Sequence, residues 1–212
     1  MTSSTLFTVL ALISCFEVIN GQWTDNKPSF CRRLECPVYS VTGEGEGYEI
    51  RSYEAAKWVS TTVMNQSYRS AGRTAFGKLF SYISGANEGG KWNCVKIDMT
   101  APVTARVIPT TTSALGNNMT YSFFIPFEFQ DNTPAPTSAD VFFTNMADFE
   151  VYVRSFGGFA SSKDWTRHSN ILKAALDNDN LPYDTRFFYT AGYDSPFTLF
   201  NRHNEVWYFK TT

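Results

Sequence analysis

The chain is 212 residues long, carries a formal net charge of −2, and contains 19 Phe and 11 Tyr within an apolar content of 43%. That length holds one large or two small domains; a single strand-rich domain is the simpler assignment, and the aromatic richness favours strands around a filled core. A weak negative charge with no block of like sign excludes a general binder of nucleic acid or anionic membranes, both of which carry a basic excess.

In chain order, residues 6–16 (LFTVLALISCF) form an apolar run too short to span a bilayer but suited to the core of a signal peptide. The expected signal is 1–21, leaving Gln22 as the mature start of a secreted, extracellular chain with no membrane span. No Lys or Arg precedes the run, so the α-amino group alone supplies its positive end. Residues 22–47 read as an extended polar arm punctuated by Pro28, Pro37, Gly43, Gly45 and Gly47. No helix follows those glycines, so they mark a turn rather than a phosphate loop.

If Cys15 leaves with the signal, Cys31, Cys36 and Cys94 remain. Cys31 and Cys36 are near enough to close a small loop, and Cys94 could replace either. The expectation is one disulfide and one buried thiol, since the spacing and the lack of a nearby His make a poor zinc site. Asn65-Gln66-Ser67 and Asn118-Met119-Thr120 have the form of N-glycosylation acceptors.

The domain proper is assigned to 48–212. Strands are expected over 48–53 and 57–64. The period then changes: Ala71, Ala75, Phe76, Leu79, Phe80 and Ile83 recur at three and four residues, predicting an amphipathic helix capped by Ser67 and stopped near Gly85. Residues 95–107 (VKIDMTAPVTARV) place an apolar residue on every second position, the pattern of a strand with one face on the core; Pro102 calls for a bulge, a bend or an edge. A further strand is expected over 119–127.

The pattern then repeats. Residues 141–144 and 149–156 read as strands, Gly157-Gly158 as a turn, and Ser161 or Ser162 as the cap of a second helix through Trp165, His168, Leu172 and Leu176. Closing strands fall at 186–191 and 205–210. Strand–strand–helix–strand–strand written twice suggests an internal duplication. The predicted fold class is α+β: a distorted, mainly antiparallel eight-stranded barrel from two such repeats, with two helices packed outside.

KIDMTAPVTARV (96–107), YEIRSYEAAKWVSTTV (48–63), VYVRSFGGF (151–159) and FFYTAGYDSPFTLFNRHNEVW (187–207) together resemble the SOUL haem-binding protein family, within it the haem-binding protein 2 branch. The resemblance spans about 48–210 and implies a duplicated barrel that binds haem or a related porphyrin. Such a tetrapyrrole needs an apolar slot and cations for its propionates. Arg73, Phe76 and Phe80, spaced i, i+3, i+7, match the helix face the family uses: Arg73 would pair a propionate while the two rings cover the macrocycle. Phe197, Leu199 and Phe200 add a dense apolar group in a late loop, and Arg202 could meet the second carboxylate.

For iron the candidate ligand is His203, beside that loop; His168 reads as a helix packing residue, and Met99 alternates with core residues. Family members proposed to ligate through His carry it directly after the YEIR block, where this chain has Ser52. The match therefore favours apolar and propionate contacts with weak or no ligation. The sequence has no Gly-x-Ser-x-Gly elbow, His-Glu-x-x-His zinc motif or dinucleotide fingerprint, so the chain reads as a binding protein, not an enzyme. The alternative is a secreted interaction or matrix protein using the same barrel without a cofactor.

Overall fold

The computed structural model describes residues 27–89 and 94–211; the expected signal segment lies outside them. In chain order the elements are β1 (Tyr39–Gly45), β2 (Tyr48–Tyr53), β3 (Ala56–Met64), α1 (Tyr68–Ile83), β4 (Asn87–Glu88), β5 (Val103–Val107), β6 (Asn118–Phe124), β7 (Ala135–Pro136), β8 (Phe142–Met146), β9 (Phe149–Phe156), α2 (Ser162–Asn178), β10 (Phe188–Gly192) and β11 (Asn204–Phe209). Nine of the strands form one curled antiparallel sheet in the order β1-β2-β9-β11-β10-β5-β6-β3-β8, while β4 and β7 make a separate two-residue ribbon.

The duplication is visible in this order. In one half β3 leads through α1 to the β5–β6 hairpin, and β6 returns to pair with β3. In the other, β9 leads through α2 to the β10–β11 hairpin, and β11 returns to pair with β9. The halves meet where β5 pairs with β10. Each also exchanges its leading strand, β2 lying on β9 and β8 on β3. Without β1, the sheet reads the same from either end.

β1 makes nine strands rather than the expected eight. Residues 39–45 of the supposed arm fold back on β2 through a two-residue turn at Glu46-Gly47, where Gly47 takes φ of +77°. No alternation announces β1, because as an edge strand it leaves most of its residues exposed or half-buried.

The helices form where the three-and-four spacing places them. Ser67 Oγ accepts from Ser70 N at the start of α1. In α2, Ser161 Oγ accepts from Asp164 N while the Asp164 carboxylate accepts from Ser161 N, a reciprocal capping box. Ala71, Ala75 and Leu79 of α1, with Leu172 and Leu176 of α2, are sealed against Val59, Tyr121, Phe123, Tyr152 and Val206. Each large apolar side chain so buried contributes about 1.5–3 kcal/mol.

The other sheet face has its own core of Tyr53, Val151, Val153, Ala191 and Trp207, under the Cys31–Cys36 disulfide segment. Cys94 stays free, and it is exposed rather than the buried thiol expected.

The 95–107 stretch is only partly a strand. Ladder pairing begins at Val103; before it, Ile97 N donates to Ile83 O, Ala101 N donates to Glu35 O, and Ala101–Pro102 is a cis peptide. Alternation holds where Ile97 is buried between exposed Lys96 and Asp98, then fails as Thr100, Ala101 and Pro102 are all buried. The segment passes from one core to the other: Met99 packs on the helix side, whereas Ala101 belongs to the opposite face.

Candidate functional site

The face of α1 opposite its buried stripe carries Arg73, Phe76 and Phe80. Phe76 and Phe80 stack at 5.6 Å between centroids and 14° between planes, and Phe76 meets the edge of buried Phe123 at 5.4 Å. They are 41% and 48% exposed, which decides against a purely core-packing role, since Tyr82 on this helix's buried side is sealed. Arg73 is exposed and makes no hydrogen bond or ion pair with the described residues. Beside them, a Cβ added at Gly77 would meet nothing within 4 Å. Glycine inside a helix costs about 1 kcal/mol relative to Ala, so packing supplies no reason for it; its effect is a flat ledge next to the rings.

The late loop, residues 193–203, is a braced platform. Arg202 Nη1 donates to the Ser195 and Thr198 carbonyls (2.7 and 2.8 Å), Nη2 donates to the Asp194 carbonyl, and the guanidinium lies 4.4 Å over the Phe159 ring. From outside the loop, Arg32 donates to the Phe200 and Asn201 carbonyls and to the Asp194 carboxylate. Phe197, Leu199 and Phe200 project outward, 90%, 66% and 79% exposed. Both Nη atoms of Arg202 are thus taken by loop carbonyls and its Nε is buried without a partner, so the guanidinium is turned into the loop rather than outward toward a second carboxylate.

Register relates the two groups. Phe123, under Phe76, pairs with Val103, and Val103 pairs with Gly192 at the loop's root. Two inter-strand steps span roughly 10 Å, so the α1 rings and the loop's root share one end of the sheet.

His203 sits in a different arrangement. It stacks on Phe30 at 3.8 Å, and its Nε2 lies 2.6 Å from Glu205 Oε1. Glu205 is fully buried and also accepts from Arg51 Nη1 (2.9 Å), Tyr193 OH (2.8 Å) and Trp207 Nε1 (2.8 Å). Burial raises the pKa of this carboxyl, but the His203 hydrogen bond and the Arg51 charge outweigh it and leave it below the usual range. Arg51 is completed by Glu49 Oε2 at 2.7 Å and lies 4.3 Å over the Tyr39 ring.

This network clamps the disulfide segment and the root of the late loop to the sheet, and it engages the histidine nitrogen nearest to it. It was not foreseen; the available signal was that Arg51 and Glu205 occupy the same strand registers as Tyr53 and Trp207, a charge of each sign at inward positions.

His168 is buried, stacked on Phe156 at 3.9 Å, with Nδ1 accepting from Arg154 Nε. Burial and then the charges of Arg167 and Arg154 lower its pKa. Ser52 lies in β2 opposite Ser40 and Glu150. No group of three or more His, Cys, Asp or Glu among the described residues could hold a metal ion. Phe76, Phe80 and Arg73 thus present an apolar face edged by a cation, while Glu205 engages Nε2 of His203 and Arg154 engages Nδ1 of His168, so that only the other ring nitrogen of each could face a ligand.

Two matching half-sheets, each backed by a helix, with one helix face left aromatic and cationic, define a duplicated half-barrel domain. The isolated C-terminal domain of EcmrR shares this fold, at a TM-score of 0.58 and 11% identity over 82% of this chain and 99% of that one. The SOUL heme-binding protein family model matches residues 34–209. Human heme-binding protein 2 is 45% identical over 160 residues, 76% of each chain, and the mouse protein of that name is 43% identical over 82% of this chain and 85% of its own. Mouse heme-binding protein 1 is 33% identical over 82% of this chain and 90% of its own. The chain belongs to the SOUL heme-binding protein family.

Proposed function

We propose that this chain is a secreted protein that binds haem or a related porphyrin, holding the macrocycle against Phe76 and Phe80 and one propionate at Arg73. The observation that carries the reading is the pair of stacked, half-exposed rings beside a guanidinium with no partner among the described residues. Family membership supports the ligand class. The apolar run at 6–16 and the Cys31–Cys36 disulfide support secretion, because disulfides persist in oxidising compartments. Asn65, exposed in the turn before α1, is the better placed of the two glycosylation acceptors; Asn118 is half-buried in β6.

The role is binding, with iron held weakly or not at all by the protein. Haemin titration of the purified chain, followed by the Soret band and Trp quenching, tests it. A saturable one-to-one change that is weakened at least about tenfold in Arg73→Ala/Phe80→Ala is the expected result, and no saturable change refutes it.

The exposed Phe197, Leu199 and Phe200 favour a second reading, in which the barrel docks another protein without a cofactor. Its distinguishing result is absence of haemin binding together with a protein complex broken by changes in that loop.

A further inference from the structure

We infer that Arg69 and Arg73 act together as the carboxylate clamp of the ligand site, so that both acidic groups of one flat apolar ligand are held from α1. The inference rests on the porphyrin-binding reading and deepens it: the ligand is a dicarboxylate with both acids on one edge, and the second cation is Arg69 rather than Arg202.

Arg69, Arg73, Phe76 and Phe80 follow one another at i, i+4, i+7 and i+11 on α1. At 3.6 residues per turn these positions fall within a wedge of about 60°, so the four side chains leave the helix in one direction, the two cations toward its start and the two rings toward its end. Arg69 is exposed and, like Arg73, makes no hydrogen bond or ion pair with the described residues. On the same helix Lys78 differs, since it pairs with Asp140, and Arg202 of the late loop is held by loop carbonyls.

Arg69 is also in an electrostatically unfavourable place. It stands in the first turn of α1, where the helix dipole favours anions, and that turn has no acidic residue to offset it. A carboxylate arriving there would gain from the guanidinium and from the helix end together. Gly77, flanking the wedge on the Arg73 side with open space above it, leaves room for a plate lying on Phe76 and Phe80 to extend past the rings.

The test compares protoporphyrin IX with its dimethyl ester, using Trp quenching on the full chain, for wild type, Arg69→Ala, Arg69→Lys and Arg73→Ala. Exposed charge pairs give up to about fivefold each, so each alanine variant should bind the diacid roughly three- to fivefold more weakly, Arg69→Lys should recover most of the loss, and all four should bind the ester alike. Because Arg69 is exposed and unpartnered, folding is not at risk, and unchanged circular dichroism confirms it. Wild-type affinity for the diacid in Arg69→Ala, with loss confined to Arg73→Ala, overturns the clamp and leaves the porphyrin reading intact. An equal loss for diacid and ester in Arg69→Ala also overturns it. No saturable binding of either compound by wild type overturns the porphyrin reading and the clamp with it.

Discussion

Glu205→Gln is the most informative single change outside the ligand face. The carboxylate, itself fully buried, accepts from Arg51 and His203 on one oxygen and from Tyr193 and Trp207 on the other, all within 2.9 Å. Glutamine keeps the shape but replaces one acceptor with an NH2 group, which faces the Arg51 donor in one orientation and the Trp207 and Tyr193 groups in the other. It also leaves the Arg51 guanidinium with only Glu49, whose side chain is 41% exposed, as its anionic partner. Breaking a buried pair from one side costs about 3–5 kcal/mol, and because Glu49 compensates in part, the lower end is expected here. For a domain of this size that lowers Tm by on the order of 10 °C. Urea denaturation of Glu205→Gln, Arg51→Met and the double variant should show a coupling of about 1–3 kcal/mol. A Glu205→Gln loss under about 1 kcal/mol, or additivity in the cycle, would refute the clamp assigned to this network.

Other outcomes follow from single contacts. His168 is held below its usual pKa of 6.5, so the unfolded chain binds more protons in the window just below 6.5; its contribution to stability is intact above that pH and is lost as pH falls through the depressed folded value. Denaturation midpoints from pH 7.5 to 5 should fall accordingly in wild type and flatten in His168→Gln, and parallel curves would contradict this. Ser161→Ala removes half of the α2 capping box and should cost about 1 kcal/mol in urea denaturation. Gly77→Ala meets open space in a helix interior and should stabilise the chain by up to about 1 kcal/mol; destabilisation would show an unrecognised constraint at that position.

Much of the scaffold was legible because its signals are local. The α1 spacing from Ala71 to Ile83 and the Ser67 and Ser161 caps each answer to near neighbours in the chain, and the structure places them, with the strand over 57–64, as read. The misread parts depend on distant partners. β1 gives no pattern because its strand status comes from pairing with β2, not from burial. The 95–102 segment mimics a strand because it threads between two cores, each taking its own apolar residues. At the site, the spacing of Arg73, Phe76 and Phe80 could be read directly. The fate of Arg202 and His203 could not, since it turns on carbonyls of their own loop and on Glu205, Phe30 and Phe159.

The central claim is that the open face of α1 holds a porphyrin, and haemin titration of wild type beside Arg73→Ala/Phe80→Ala tests it most directly. The expected result is one saturable site in wild type, with a Soret change and Trp quenching, and weakening in the double variant by at least tenfold, from one exposed ion pair and one ring contact of about 1 kcal/mol each. Equal haemin affinity in the two proteins, or no saturable binding in either, would contradict it.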